Sequence, residues 1–251
     1  MTVHPRTAMV LAAGLGTRMR PLTSNTAKPL LTLGGKSLLN HALDRLAEAG
    51  VETVAVNAHW HADQVVAALA ARGAPPNTVP LPEASLLDTG GGVRAALDVL
   101  GEGPFYVVNG DAFWLDGPRP ALQRLAEAFD DTVDGVLLLH RTFQVHGEVG
   151  SGDFALDKWG IPRRRKEREI VPYMYAGVHL MRASLLDDMP EGPFRGPFSM
   201  NRAWDLAIGA GRLRAVVHDG LWFHLSTPPD LSDAEGILAA RLTGDMRWPW
   251  R

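Results

Sequence analysis

Met9-Val-Leu-Ala-Ala-Gly-Leu-Gly-Thr-Arg-Met-Arg-Pro-Leu-Thr23 passes from an apolar run through two glycines into a threonine and two arginines. Ala8–Ala13 is continuously apolar and is stopped by Gly14, the pattern of a short strand buried on both faces. Glycine-rich turns after such a strand expose backbone N–H groups that cradle phosphate. Three readings of this turn compete. A dinucleotide fingerprint needs a third glycine where Met19 stands, and an acidic residue after the second strand, where Val51–Val56 runs into Asn57. A P-loop needs Gly-x-x-x-x-Gly-Lys-Ser/Thr, a spacing absent here. The third reading is a plain tight turn carrying solvated arginines.

Outward from that turn, Ser37 can cap a helix bearing Leu38, Leu39, Ala42, Leu43, Leu46 and Ala47, closed by Gly50. Val51–Val56 reads as a strand, His61–Arg72 and Gly90–Leu100 as helices, and Pro104–Val108 as a buried strand ending at Asn109-Gly110-Asp111. Pro118–Phe129 reads as a helix and Gly135–Leu139 as a strand. From Phe143 to Val171 glycines and the basic run Arg163–Arg168 predict irregular strands or a loop. Tyr173–Met181 is then a strand, Asn201–Ala210 a helix, Leu213–His218 and Leu221–Leu225 a closing strand pair, and Pro228–Leu242 a last helix. This alternation predicts one α/β domain with a mixed, mostly parallel sheet and helices on both faces. Ligands bind such sheets beyond the carboxyl ends of the strands, so the first turn and Asn109-Gly110-Asp111 are predicted to share one rim.

Composition narrows the function classes. In 251 residues, 25 Lys and Arg stand against 28 Asp and Glu, a balance that offers no nucleic-acid surface. The absence of cysteine removes disulfides, zinc-thiolate sites and cysteine nucleophiles together. No stretch approaches the roughly 18 uninterrupted apolar residues of a membrane helix, and Met1–Val10 holds no apolar core of a signal peptide. The expectation is a cytoplasmic protein with neither nucleic-acid nor membrane partners, monomeric or a small homo-oligomer.

Gly14-x-Gly16-Thr17-Arg18-Met19-x-Pro21-Leu22-Thr23 followed by Lys28-Pro29-Leu30 resembles the signature of the sugar-1-phosphate nucleotidylyltransferases. The resemblance continues through Leu33-Gly-Gly-Lys-Ser-Leu38, Pro82-Glu83, Asp88-Thr89-Gly90-Gly91-Gly92, Asn109-Gly110-Asp111, Tyr175–His179 and Trp222–Thr227. It covers about Ala8 to Leu238 and implies the Rossmann-like, GT-A-like fold of nucleotide-diphospho-sugar transferases. Glu83 with Asp-Thr-Gly-Gly-Gly, together with Gly152-Asp153-Phe154, looks most like the N-acetylmuramate α-1-phosphate uridylyltransferases. Short mannose-1-phosphate guanylyltransferases follow closely.

The resemblance implies that an NTP and a sugar 1-phosphate become an NDP-sugar and pyrophosphate. It places Arg18 on the leaving pyrophosphate, Lys28 beside the α-phosphate and incoming sugar phosphate, and Asp111 on Mg²⁺. Ala12, Gly14, Gly16, Thr17, Glu83, Thr89 and Gly90 would hold the nucleotide, Asn109 would support the rim, and Asp153 would contact the sugar. It divides the chain into a nucleotide part (8–140), a sugar-phosphate part (141–227) and a C-terminal helix and tail (228–251). One position departs from the pattern. His224 stands where the family carries a second metal-binding aspartate. An imidazole suits Mn²⁺ or Zn²⁺ better than Mg²⁺, so His224 binds metal, bonds a phosphate or fills space. That change alone supports the competing idea of a regulatory module that binds nucleotide sugars without chemistry.

Overall fold

The apolar run before Gly14 forms β1 (Thr7–Leu11) in a computed structural model that describes residues 2–145, 150–187, 189 and 196–243. Short 3₁₀ turns, Thr17–Met19 and Lys28–Leu30, lead to the ribbon β2 (Thr32–Leu33) and β3 (Lys36–Ser37). Then come α1 (Leu38–Glu48), β4 (Thr53–Ala58), α2 (Ala62–Ala71), β5 (Asn77–Pro82), α3 (Asp88–Ala95) and α4 (Leu97–Leu100). β6 (Phe105–Asn109), β7 (Phe113–Leu115), α5 (Ala121–Glu127) and β8 (Gly135–Arg141) follow. The remainder is β9 (Phe154–Leu156), β10 (Pro162–Arg164), β11 (Tyr173–Met181), α6 (Met200–Gly209), β12 (Leu213–Val217), β13 (Leu221–Phe223) and α7 (Pro228–Thr243).

α1 shows how local sequence fixes an element. Ser37 accepts a hydrogen bond from the Asn40 N–H at 3.2 Å, five apolar side chains bury one face, and Gly50 closes the end at a φ of 83°. Nine strands form one mixed sheet in the order β10-β9-β11-β6-β1-β4-β5, with β8 on the other edge of β11 and β12 beyond it. β1 runs parallel to both β4 and β6, and the register sets Leu11 level with Asn57 on one side and Asn109 on the other. Three strand ends therefore stop together at one rim. One core, including Leu39, Leu43, Val65, Leu125 and Phe129, lies under α1, α2 and α5. A second, including Phe105, Val93, Trp204 and Leu137, lies under α3, α4 and α6. The expected mostly parallel sheet with helices on both faces is the observed one.

Several details differ from the sequence reading. Leu213–His218 and Leu221–Leu225 do not pair with each other. β12 joins the main sheet parallel to β8, whereas β13 forms a separate ribbon with β7. Hydrogen-bonding edges of β8 and β7 were the better partners, and neither could be inferred from adjacency along the chain. The Gly90–Leu100 helix starts at Asp88 and breaks at Ala96 into α3 and α4. β5, with Pro80 and Pro82, was not anticipated as a strand. It pairs only with β4 at the sheet edge, where missing N–H donors are tolerated. Residues 146–149 of the irregular stretch and the tail from 244 onward lie outside the described residues.

Candidate active site

The rim carries two charges of opposite sign in contact. Lys28, at the start of its 3₁₀ turn, reaches the Oδ2 of Asp111 at 2.5 Å, and its side chain is only 12 % exposed while that of Asp111 is 38 % exposed. Asp111 Oδ1 has no hydrogen-bond partner among the described residues. Gly110 brings the Asn109–Asp111 turn against β1, its N–H donating to Leu11 O at 2.8 Å. A Cβ there would lie 2.9 Å from that same oxygen, so the close approach requires glycine.

The first turn is anchored from behind. Met19 is fully buried, Gly16 adopts φ 60°, and the Thr23 hydroxyl donates to Gly16 O at 2.7 Å. A Cβ on Gly16 would press on Thr23 and Lys28, whereas one on Gly14 would meet open space. Gly14 is thus the glycine that faces the open rim, and Gly16 is the one that shapes the turn. Thr17 and Arg18 are exposed, and Arg18 has no ion-pair partner among the described residues.

Three adjoining cavities meet at Asn109. One, of about 210 Å³, is bounded by Ala12, Ala13, Gly14, Lys28, Asn57, Asp88, Thr89 and Asp111. A second, of about 490 Å³, brings Arg18, Lys28 and Asp111 together with Asp153, Tyr175, Trp222 and His224. The third, of about 190 Å³, lies between Asp88 and Trp204. The His224 imidazole is held below its ordinary pKa, first by burial and then by the positive charges of Arg18 and Lys28, against the pull of Asp230 and Asp111. It is neutral near pH 7. Among the described residues its ring makes no hydrogen bond, and no group of three His, Asp or Glu could hold an ion by itself.

Of the other expected residues, Thr89 and Asp153 line these cavities and Glu83 and Gly90 do not. Glu83 does not line the cavity of Ala12 and Gly14. Its carboxylate accepts from Asn57 Nδ2 at 2.7 Å and from the Leu87 N–H at 3.0 Å. Asn57 in turn accepts from the Ala12 N–H at 2.8 Å. Glu83 therefore reaches the rim only through Asn57. Gly90 is buried, and its N–H donates to Phe198 O at 2.9 Å. The Thr89 hydroxyl accepts from the Met200 N–H at 2.8 Å while the residue lines the cavity. Asp153 accepts from the Tyr175 N–H at 2.9 Å and lines the larger cavity.

Sequence reasoning missed Asn57 and Asp88. Asn57 is the one polar interruption at the end of an apolar strand, a visible cue. Asp88 has φ 60°, unusual for a residue with a Cβ, which no sequence pattern announces.

A match to the MobA-like NTP transferase domain runs over residues 8–189. The chain belongs to the MobA-like NTP transferase family. Its membership makes it a nucleotidyltransferase, and families of this kind typically use a divalent metal. The chain is 42% identical to "N-acetylmuramate alpha-1-phosphate uridylyltransferase" of Caulobacter vibrioides over 95% of its length and 99% of that protein. It is 32% identical to the protein of the same name from Neisseria meningitidis serogroup B, over 93% of the chain and 98% of that protein. Among solved structures, the inositol-1-phosphate CTP transferase from T. maritima superposes with a TM-score of 0.77 at 18% identity, covering 95% of this chain and 97% of that one. That likeness shows the fold of this NTP transferase.

Proposed function

We propose that the chain transfers a uridylyl group from UTP to N-acetylmuramate α-1-phosphate, releasing pyrophosphate. The observation that carries this reading is the gathering of Arg18, Lys28, Asn109, Asp111 and His224 around one cavity, in a chain so alike over its whole length to a protein of that name. A sugar phosphate oxygen attacks the α-phosphorus in line, forming a P–O bond as the bond to the β-phosphate oxygen breaks. The nucleophile is already an anion, so no base is needed. The obstacle is repulsion between two polyanions, about 4 kcal/mol for each pair of unit charges 4 Å apart at an intermediate dielectric. The site must therefore neutralise and position.

In this scheme the amides around Gly14 hold the triphosphate, and Arg18 clamps the β- and γ-phosphates with its planar fork. Lys28 sits between the α-phosphate and the sugar phosphate. Thr89 borders the base and ribose side. Asn57 and Glu83 act in sequence behind Ala12 as positioning residues, and Gly16, Thr17 and Gly90 shape and pack the loops. Asn109 divides the cavities, and Asp153 positions Tyr175 on the sugar wall.

The donor set fits a divalent ion that is shared with substrate. Asp111 offers an oxygen without a partner among the described residues, His224 offers a neutral ring, and the remaining ligands would be substrate phosphates. Mg²⁺, with Mn²⁺ as the alternative the imidazole favours, would supply charge neutralisation there.

The test is a pyrophosphate-release assay crossing UTP, GTP, CTP and dTTP with N-acetylmuramate, mannose and glucose 1-phosphates, with Mg²⁺ or Mn²⁺. UTP with N-acetylmuramate 1-phosphate is expected to give the highest kcat/KM. Preferential use of GTP with mannose 1-phosphate would replace this reading. No turnover with any pair would favour a binding module.

A further inference from the structure

Residues 17–27 join the first turn to Lys28 and have little structure of their own to keep them in place. Pro21, Leu22, Ser24 and Asn25 are exposed. The backbone hydrogen bonds are local, from Met19 N–H to Gly16 O at 2.9 Å, Leu22 N–H to Met19 O at 3.0 Å and Ser24 N–H to Pro21 O at 3.0 Å. No ion pair reaches the segment among the described residues. Yet it carries Arg18 and ends at Lys28, and a shift of about 1 Å in a group that aligns reactants costs on the order of 100-fold in rate. Something outside the loop must hold it.

The hold comes from the start of α2. Trp60 Nε1 donates to Thr23 O at 3.1 Å, and His61 Nε2 to Ser24 O at 3.3 Å. Gln64 makes two bonds of opposite sense: its Nε2 donates to Asn25 O at 2.9 Å and its Oε1 accepts from the Ala27 N–H at 3.3 Å. Only an amide side chain can donate and accept across a loop in this way. α2 is itself fixed, with Val65 and Leu69 buried against the sheet. The chain enters it through His61 at φ 52°, a left-handed conformation that a residue with a Cβ keeps only where its surroundings impose it, commonly beside functional sites.

The two arms of this brace end at different cations. Trp60 holds Thr23, whose hydroxyl in turn holds Gly16 O, the turn on which Arg18 stands. Gln64 holds Ala27, which is fully buried and starts the 3₁₀ turn of Lys28, its carbonyl accepting from the Leu30 N–H at 2.9 Å. We propose that Gln64 is a positioning residue for the transfer: it fixes the backbone beside Lys28 so that the ammonium is already in place when the phosphates meet. Gln64 acts through Lys28 and touches no substrate. Trp60 does the same for the turn of Arg18. The assignment of a role in the reaction rests on the nucleotidylyltransferase reading; the brace itself rests on the four hydrogen bonds.

Gln64→Met keeps the length of the side chain and the helix propensity and deletes both hydrogen bonds. With UTP and N-acetylmuramate 1-phosphate it should lower kcat on the order of tenfold while KM for UTP moves by less than about threefold. Amide hydrogen exchange should quicken in residues 17–27 and stay unchanged in the sheet. A double-mutant cycle with Lys28→Ala separates positioning from plain structural support: in the Lys28→Ala protein the further loss from Gln64→Met should vanish, because nothing is left to position. Equal losses in the two backgrounds overturn the proposal, as does an unchanged kcat or an unchanged exchange rate in the loop. Exchange needs no turnover. A wild-type protein inactive with every sugar 1-phosphate would remove the proposed reaction, and with it the role of Gln64 in transfer, while the exchange of residues 17–27 would still decide whether the brace exists.

Discussion

The rim at the ends of β1 and β6 and the wall made by β11 belong to one sheet, yet they treat polar groups in opposite ways. At the rim charge is kept and left partly exposed: among the described residues Arg18 has no ion-pair partner, and Lys28 is balanced by a single half-exposed carboxylate. On the wall His179 is buried and held neutral, and the partly buried Tyr175 phenol is pushed above its ordinary pKa. The contrast follows from where the side chains sit: phosphate binding needs cations and amides within reach of solvent, as at the rim, whereas the wall turns its rings into the core. The backbone differs to match. Parallel strands whose register levels Leu11, Asn57 and Asn109 build the rim, and an irregular antiparallel strand builds the wall.

The contrast breaks first if the rim cations are dispensable. Lys28→Ala is expected to lower kcat/KM on the order of 10³-fold and Arg18→Ala by 10² to 10³, the scale of removing one preorganised electrostatic contact in a catalytic site. Both proteins should keep their fold, because Arg18 is exposed and the partner of Lys28 remains within reach of water. Steady-state kinetics beside far-ultraviolet circular dichroism checks both statements. Near-normal rates in either variant would end the electrostatic account of the rim.

A smaller effect sharpens the boundary between rim and wall. The glycines of Asp88–Gly92 read in sequence as a ligand-binding turn, but a Cβ on Gly90 would lie 2.2 Å from the Phe198 ring. Gly90→Ala should therefore cost stability, about 1–3 kcal/mol by overpacking, visible as a lower urea midpoint with an unchanged m-value. A variant with wild-type stability and a raised KM for UTP would instead place Gly90 against the nucleotide.

How much could be read beforehand follows the same division. The first strand, α1 and the Asn109–Asp111 turn were readable because an apolar run, a capping serine and a strand-end turn each act within a few residues. That the first turn and the Asn109–Asp111 turn share one rim was expected from the rule that ligands gather at strand ends, whereas the places of Lys28 and Asp111 on it came from the family resemblance. The occupied carboxylate of Glu83 was not readable, since its partners Asn57 and Leu87 are set by the packing of β4 against β5 and the loop beyond it. Nor was the Tyr175–His179 contact, because alternation along a regular strand would hold the two rings apart. The pairing of β12 with β8, rather than with β13, likewise depends on which sheet edge is free in three dimensions.

The smallest expected effect tests the wall, through pH. His179 has a folded-state pKa of about 3 against an ordinary 6.5, so between these values the unfolded chain binds a proton that the folded chain refuses. Its contribution to stability is complete above pH 6.5 and is lost as pH falls toward 3. From pH 7 to pH 5.5 the integrated loss is about 1.3 kcal/mol for this one residue. His41, His140, His218 and His224, all lowered first by burial, act in the same direction. Urea unfolding from pH 7.5 to 5.5 should show stability falling with acid, and His179→Gln should flatten that slope by nearly one proton. An unchanged slope in the variant would mean that His179 meets water or a counter-charge, and the neutral, dry character of the wall would fail while the rim stood.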